Sequence, residues 1–438
     1  MSDRPRKTIT VTTLARSSGL AVTGLSYLLI SRILGPAGFG AFTVLVTIAT
    51  VAAQLGHLSL QYAQTYLWAT PSNRDTLVGT AEVISLVSGT LSGAMAWVIV
   101  YLAGNQIVPV PGLWLLAMAV GAVPFAVVVT NLSNLVILGN RINRFNVAYA
   151  LGAGFQLVAV SALALSGHLS VKSALATWVG SEIVPAVVLL QGFPLSRLNF
   201  SMVLAKRTLS VALRYHLGVV FLFMLLRADI LILNGMVGAV QVGRYSLAVA
   251  VAELTYLTAD AVAQVMLPRQ TDSSIEDSAQ LTARLVRASA VVGLVSSAGI
   301  LIASEVIMPL VFGQKYNGVL EPLAVLMPGI VALATVRAAS GFLVRLNQPL
   351  IFSLTASGCM VLNIALNFAL IPQLGIVGSA LASTVAYAAL AACYVTWASR
   401  AAGIGLRDFI PRPADLALIR GGRRRGGGNR EGDGALDL

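Results

Sequence analysis

LRADILILNGMVGAVQVGRYSLA, residues 226–248, combines residues that rarely share one segment. Most of it is leucine, isoleucine, valine and alanine, as in a chain that crosses a bilayer. Arg227 and Asp229 stand inside that run. A charge at mid-membrane costs about 2.5–3.5 kcal/mol even on the lenient insertion scale. On a helix two positions apart they point about 200° from each other, so they do not form one salt bridge and each needs its own partner or water. Two glycines, Gly238 and Gly243, and Tyr245 follow. The apolar run reads as a membrane span, the glycines as a turn, and the charges as contact with something other than lipid.

Composition extends this to the whole chain. Hydrophobic residues make up 57%, charged residues 11%, and the mean hydropathy is +0.84. Soluble domains carry about 25% charged residues. Spans of about 20 apolar residues are expected near 10–31, 40–67, 78–103, 113–138, 147–166, 173–192, 210–235, 244–266, 287–312, 319–344, 350–371 and 375–399. The chain is therefore read as an all-α polytopic membrane protein of about twelve transmembrane helices. No soluble domain interrupts them. Arg4, Arg6 and Lys7 precede an apolar run, as in a signal sequence, but the run contains Arg16 and continues too far, so it reads as a retained first helix.

A net charge of +12 invites a nucleic-acid reading. Its distribution argues against one. With connections numbered alternately, 21 of the 29 Lys and Arg fall on the side of the N-terminus, four on the other, and four in spans. That asymmetry is the positive-inside rule. It places both termini in the cytoplasm and the protein in a cytoplasmic (inner) membrane. From residue 401 the chain turns Gly- and Arg-rich and reads as a disordered cytoplasmic tail, 401–438. Arg423, Arg424 and Arg425 suit anionic membrane lipid, although a solvated tail is the simpler reading.

GPAGFGAF, residues 35–42, and GAVQVGRY, residues 238–245, echo each other. Gly35, Gly40 and Phe42 map onto Gly238, Gly243 and Tyr245 at a constant offset of 203. The echo falls at the same place in two six-helix halves, 1–200 and 201–400. An even helix count per half makes them parallel repeats, with a substrate site expected at their interface.

Polar residues in the spans mark that interface. Gln54, His57, Gln61 and Gln64 are spaced 3, 4 and 3, one continuous stripe on a helix. Thr12 and Arg16 share a face, as do Glu253 and Asp260. Tyr27, Arg337, Asn363 and Asn367 lie in other spans, and Glu82 and Glu182 near span ends. Lipid penalises such groups, so as a set they imply a hydrated central cavity. Any single one is as readily a structural ion pair, and His57 alone reads first as a hydrogen-bonded packing residue. His57, His168 and His216 are too scattered for a metal or catalytic cluster. No Walker sequence, zinc spacing or large external loop appears. The protein is read as a transporter rather than an enzyme, with no cofactor beyond a coupling ion, H+ or Na+.

SRILGPAGFGAF (31–42), the opening stretch, LPRQ (267–270), VFGQKY (311–316) and NFALIPQLGIVGSALAST (367–384) together resemble the polysaccharide flippase branch of the multidrug/oligosaccharidyl-lipid/polysaccharide exporter superfamily. The resemblance covers residues 8–400. It implies two six-helix bundles around a central cavity and alternating access for an undecaprenyl-diphosphate-linked oligosaccharide. Polysaccharide polymerase and glycosyltransferases would be its partners. Arg16, Arg227 and Arg337 would then receive the diphosphate, since arginine meets phosphate bidentately. Gln54, His57, Gln61, Asn363 and Asn367 would contact the sugar, and Asp229, Glu253 and Asp260 would take the coupling ion. Arg16 also resembles an arginine of the lipid II branch, but this chain lacks that branch's two extra spans. The alternatives are an ion-coupled drug antiporter of the same superfamily, or an enzyme or assembly factor of envelope glycan synthesis.

Overall fold

The structure is a computed structural model describing residues 3–70, 74–104, 108–191, 199–272, 275–346 and 348–412. Side-chain surroundings are described from residue 19 onward, except at 20, 256–276, 344 and 345. Among these residues every regular element is helical. In chain order they are α1 (Asp3–Gly56), α2 (Leu60–Leu67), α3 (Arg74–Ala103), α4 (Leu113–Gly121), α5 (Val123–Leu138), α6 (Ile142–Leu165), α7 (Val171–Leu190), α8 (Met202–Asp272), α9 (Ile275–Phe312), α10 (Leu320–Arg345), α11 (Pro349–Leu374) and α12 (Ile376–Ala402).

Among the described residues ten helical stretches are long and apolar enough to cross a membrane, and two of them, of 47 and 54 residues, are long enough to cross it twice. A straight α8 of 71 residues would be about 105 Å long, over three times the hydrocarbon thickness. It turns back at Gly238 (φ 80°, ψ 171°), and α1 turns back at Gly35 (φ 67°, ψ −178°). That dihedral region is essentially restricted to glycine. The side chains confirm the reversals. Tyr27 and Phe42 would lie about 22 Å apart along a straight helix, yet their rings are 5.6 Å apart. Asp229 and Tyr245 straddle Gly238 in the same way, 2.6 Å apart. With α4 and α5 forming one span, the membrane crossings number about twelve, as the sequence predicts. Gly35→Ala or Gly238→Ala should each cost about 1–3 kcal/mol, since an L side chain is strained at positive φ with ψ near 180°. A thermal unfolding series on purified protein checks this: an unshifted midpoint for both variants would show the turns to be unstrained.

The two glycine turns also meet. A Cβ on Gly40 would lie 1.9 Å from the carbonyl oxygen of Ala239, and one on Gly243 would lie 1.9 Å from that of Pro36. These contacts map onto each other at the offset of 203, so the turns pack as a pseudo-symmetric pair. Phe42 and Tyr245 are fully buried beside them. Asn234 donates to the Pro109 carbonyl at 2.6 Å and Tyr316 to the Ser31 carbonyl at 2.9 Å, adding bonds between the halves at this end.

The folded chain continues past the expected start of the tail. A 3-10 turn, Leu406–Phe409, follows α12; Phe409 is buried and Arg287 donates to the Asp408 carbonyl. Residues 413–438 lie outside the described residues.

Candidate functional site

Arg227 and Asp229 take separate partners, as their helical spacing requires. Arg227 Nη2 lies 3.0 Å from Glu253 Oε1, across the Gly238 turn. Both side chains keep about a third of their surface open, 30% and 41%. Arg227 sits eleven residues before the turn, about 16 Å down the limb. Tyr27 on α1 lies within electrostatic reach of both members of the pair, so the pair faces the first half and not lipid; Glu182 on α7 acts on the same Tyr27. A surface pair of this openness contributes on the order of 1 kcal/mol. An exchangeable charge pair therefore stands at mid-depth between the halves.

Asp229 is 2% exposed and belongs to the interior of the second half. Its Oδ2 accepts from Tyr245 Oη at 2.6 Å and Ser383 Oγ at 3.2 Å; its Oδ1 accepts from the Ile230 amide at 2.8 Å. The network continues through Asn363, whose Nδ2 donates to Ser383 Oγ at 3.4 Å. Asn367 donates to Asn363 Oδ1 at 3.1 Å and accepts from Ser379 Oγ at 2.7 Å. Asn363, Asn367, Ser379 and Ser383 are all fully buried. The structure thus joins Asn363 and Asn367 to Asp229 through Ser383. Three hydrogen bonds to one carboxylate offset its desolvation. Tyr245, Ser379 and Ser383 were not singled out as site residues from sequence, although Tyr245 lies in the glycine echo and the two serines share a face of α12 at a spacing of four.

The glutamine stripe is not continuous. The helix breaks between α1 and α2, where Leu58 (φ 50°) and Ser59 (φ 54°) are left-handed. Ser88 captures the Gly56 carbonyl at 2.6 Å, satisfying an acceptor that the break releases. Non-glycine residues in this region cost about 1–2 kcal/mol each. The break divides the four residues. Gln54 stays half-buried on α1, while Gln64 is fully buried on α2 and accepts from Asn134 Nδ2 at 2.9 Å. The same Asn134 nitrogen bonds the Gln61 carbonyl at 3.3 Å.

His57 is buried and its Nδ1 accepts from the Ser59 amide at 2.7 Å, a packing role. It also has a neighbour that sequence spacing cannot show. The His216 ring centroid lies 5.8 Å away, and Ser59 Oγ is 3.2 Å from His216 Nδ1. Beside them Tyr62 and Tyr215 stack at 4.5 Å and 14°. Ser59 and His216 each lie more than 20 residues from a glycine turn, about 33 Å down their limbs. The halves therefore touch at both ends, with the Arg227–Glu253 pair between.

Arg337 on α10 is exposed and lies within electrostatic reach of Tyr62. Glu82 is buried in the first half. The side chains of Thr12, Arg16 and Asp260 lie outside the described residues. Among the described residues, no three His, Cys, Asp or Glu side chains group as a metal site.

A solved multidrug resistance MATE family transporter, in an inward-facing conformation, aligns with 88% of this chain and 94% of its own at a TM-score of 0.71 and 15% identity. The lipid II flippase MurJ in an inward closed conformation aligns with 91% of this chain and 89% of its own, at a TM-score of 0.72 and 12% identity. The chain shares the fold of these two proteins. A further MOP transporter, from Pyrococcus furiosus and described as having a binding pocket of reversed polarity, covers 92% and 97% of the two chains at a TM-score of 0.67 and 14% identity. In sequence, the chain is 29% identical over 165 residues to the probable low-salt glycan biosynthesis flippase Agl15 of Haloferax volcanii. That match spans 36% of this chain and about a third (35%) of the length of the curated relative. No family model matches the sequence. The resemblance read from the glycine turns and the later motifs thus agrees with both the curated relative and the shared fold. These relatives are described as transporters and flippases, and the chain is a multi-pass membrane protein.

Proposed function

We propose that this protein moves a lipid-linked oligosaccharide, carried on undecaprenyl diphosphate, from the cytoplasmic to the outer leaflet by alternating access. The observation that carries this reading is the partly open Arg227–Glu253 pair between halves that touch at both ends. The relatedness to a named glycan flippase supports it. In this scheme the diphosphate replaces the Glu253 carboxylate on Arg227. Glu253 takes up a proton and so stops competing for the guanidinium; on release it gives the proton back and Arg227 pairs again. Arg16 and Arg337 add positive charge along the route. The sugar meets Gln54 and Gln61 from the first half, while His57 holds the turn between α1 and α2.

Asp229 is the proposed coupling group for H+ or Na+. Asp229, Ser383, Asn363, Asn367 and Ser379 already form one connected hydrogen-bond chain, in which the two amide nitrogens are donors. Turned toward a cation, its carboxylate, hydroxyl and amide oxygens are the ligand type that hard cations take. Asp260 is a further coupling candidate. The membrane would be the bacterial inner membrane with both termini cytoplasmic, and the polymerase and glycosyltransferases of the same surface glycan would be partners.

The described carboxylates also favour a second reading. Glu182 and Glu253 both lie within electrostatic reach of Tyr27, and two carboxylates around one aromatic side chain suit an antiporter of organic cations. Full-length protein in proteoliposomes decides between them. A lipid-linked glycan should become accessible to external lectin, faster under an imposed pH or Na+ gradient. Asp229→Asn should lower the gradient-driven part at least tenfold at normal protein abundance. Uptake of a cationic dye with no glycan movement would replace the flippase reading with the antiporter.

A further inference from the structure

We propose that an aromatic pocket, at the end of the seam remote from the glycine turns, binds a single pyranose ring with Arg337 beside it for the attached phosphate. This rests on the flippase reading and locates the first sugar of its substrate. Five rings line the pocket: Tyr62 on α2, Tyr215 on α8, Phe352 on α11, and Tyr394 and Trp397 on α12. They come from both halves.

Aromatic clusters are usually core, and three features separate this one. Tyr394 is 1% exposed and its hydroxyl has no hydrogen-bond partner. An unmade buried hydrogen bond costs about 1–3 kcal/mol, a cost that a ligand hydroxyl would remove. Polar groups also stand at the rim. Ser340 lines the pocket, and Gln348 Oε1 accepts from Trp397 Nε1 at 3.0 Å, which fixes the indole plane. Finally, Tyr62, Tyr215, Phe352 and Trp397 are only partly buried.

A pyranose matches this combination only as the seam opens: the closed cavity holds about 30 Å³, room for one water, and its wall is almost wholly apolar, so the ring enters where Tyr215 gives way. Its C–H faces are apolar and stack on aromatic rings, while its equatorial hydroxyls need donors and acceptors around the edge. An acyl chain would leave the Tyr394 hydroxyl unpaired. Arg337 lies one helical turn before Ser340, whose Oγ donates to the Arg337 carbonyl at 2.7 Å. Its exposed guanidinium is within reach of Tyr62, so a sugar phosphate in the pocket would meet it. The Tyr62–Tyr215 stack joins opposite halves at 4.5 Å. A sugar that takes the place of Tyr215 on the face of Tyr62 would part the halves at this end, so that binding opens the seam.

The test uses full-length protein in lipid nanodiscs. The probes are the 1-phosphates of glucose, galactose, mannose and N-acetylglucosamine, with inorganic phosphate and the methyl glycosides as controls. Binding is followed by saturation-transfer NMR from the aromatic protons and by Trp397 fluorescence. At least one sugar phosphate should bind in the millimolar range. Tyr394→Phe should weaken it about 5–10-fold and Trp397→Leu more than tenfold, with both variants folded at normal abundance. Arg337→Gln should reduce the sugar phosphate to the affinity of its methyl glycoside. No binding by any sugar phosphate, or wild-type affinity in both aromatic variants, overturns the proposal. Normal glycan translocation without sugar binding removes the pocket and leaves the flippase reading. Sugar binding by a protein that moves no glycan does the reverse.

Discussion

Arg227→Ala is expected to reach normal membrane abundance and to lose at least a hundredfold in glycan translocation. The two halves of that expectation come from different observations. Arg227 and Glu253 each keep about a third of their side-chain surface open. Removing the arginine therefore leaves a carboxylate that water reaches, at a cost nearer 1 kcal/mol than the 3–5 kcal/mol of a fully buried pair. A diphosphate, by contrast, carries at least two charges into the seam and needs the cation that Arg227 brings to that depth. Arg227→Lys should recover only part of the activity, because an ammonium lacks the planar fork. Glu253→Gln should act in the opposite sense: Arg227 is then permanently free, substrate binds more tightly, and turnover drops about tenfold because release is no longer assisted. The paired measurement is membrane abundance and lectin-accessible glycan for each variant. Wild-type translocation by Arg227→Ala would remove this residue from the route. Enhanced cation uptake by the same variant, with Glu253→Gln inactive, would move the function to the antiporter reading.

The second large effect belongs to the glycine turns. An added Cβ at Gly40 or Gly243 lies 1.9 Å from a backbone carbonyl oxygen, where ordinary contact needs about 3.4 Å. Backbone cannot swing aside as a side chain can, so the turns must part by more than an ångström. Each half keeps its own packing, so Gly40→Ala and Gly243→Ala should still fold. The closed end should not. A cysteine replacing fully buried Val242, with Cys359 and Cys393 changed to serine, should be sealed from maleimide in the parent. It should label readily in either glycine variant, and translocation should drop at least tenfold because one of the two closed ends is lost. Unchanged labelling and unchanged transport in the double variant would show that the turns separate without consequence.

Much of this molecule was legible from residue types alone. Hydropathy and segment length determine that the chain crosses a membrane about twelve times, because a bilayer accepts only satisfied backbone and long apolar runs. The glycine echo located both hairpin turns, since their dihedrals admit essentially no other residue. Helical spacing showed that Arg227 and Asp229 could not pair. What spacing could not supply was the partner. Glu253 lies across a turn, Ser383 lies 154 residues from Asp229, and His216 lies 159 from His57. The glutamine stripe failed for a related reason: a helix is assumed to continue until something breaks it, and Leu58 and Ser59 carry no sequence mark of left-handed backbone. Periodicity and propensity are local, so the sequence by itself determined which segments cross the membrane and where they turn. Which polar groups meet between segments is decided by the packing of helices distant in the chain, and only the tertiary structure could show that Asn363 and Asn367 reach Asp229 through Ser383 while Arg227 faces the space between the halves.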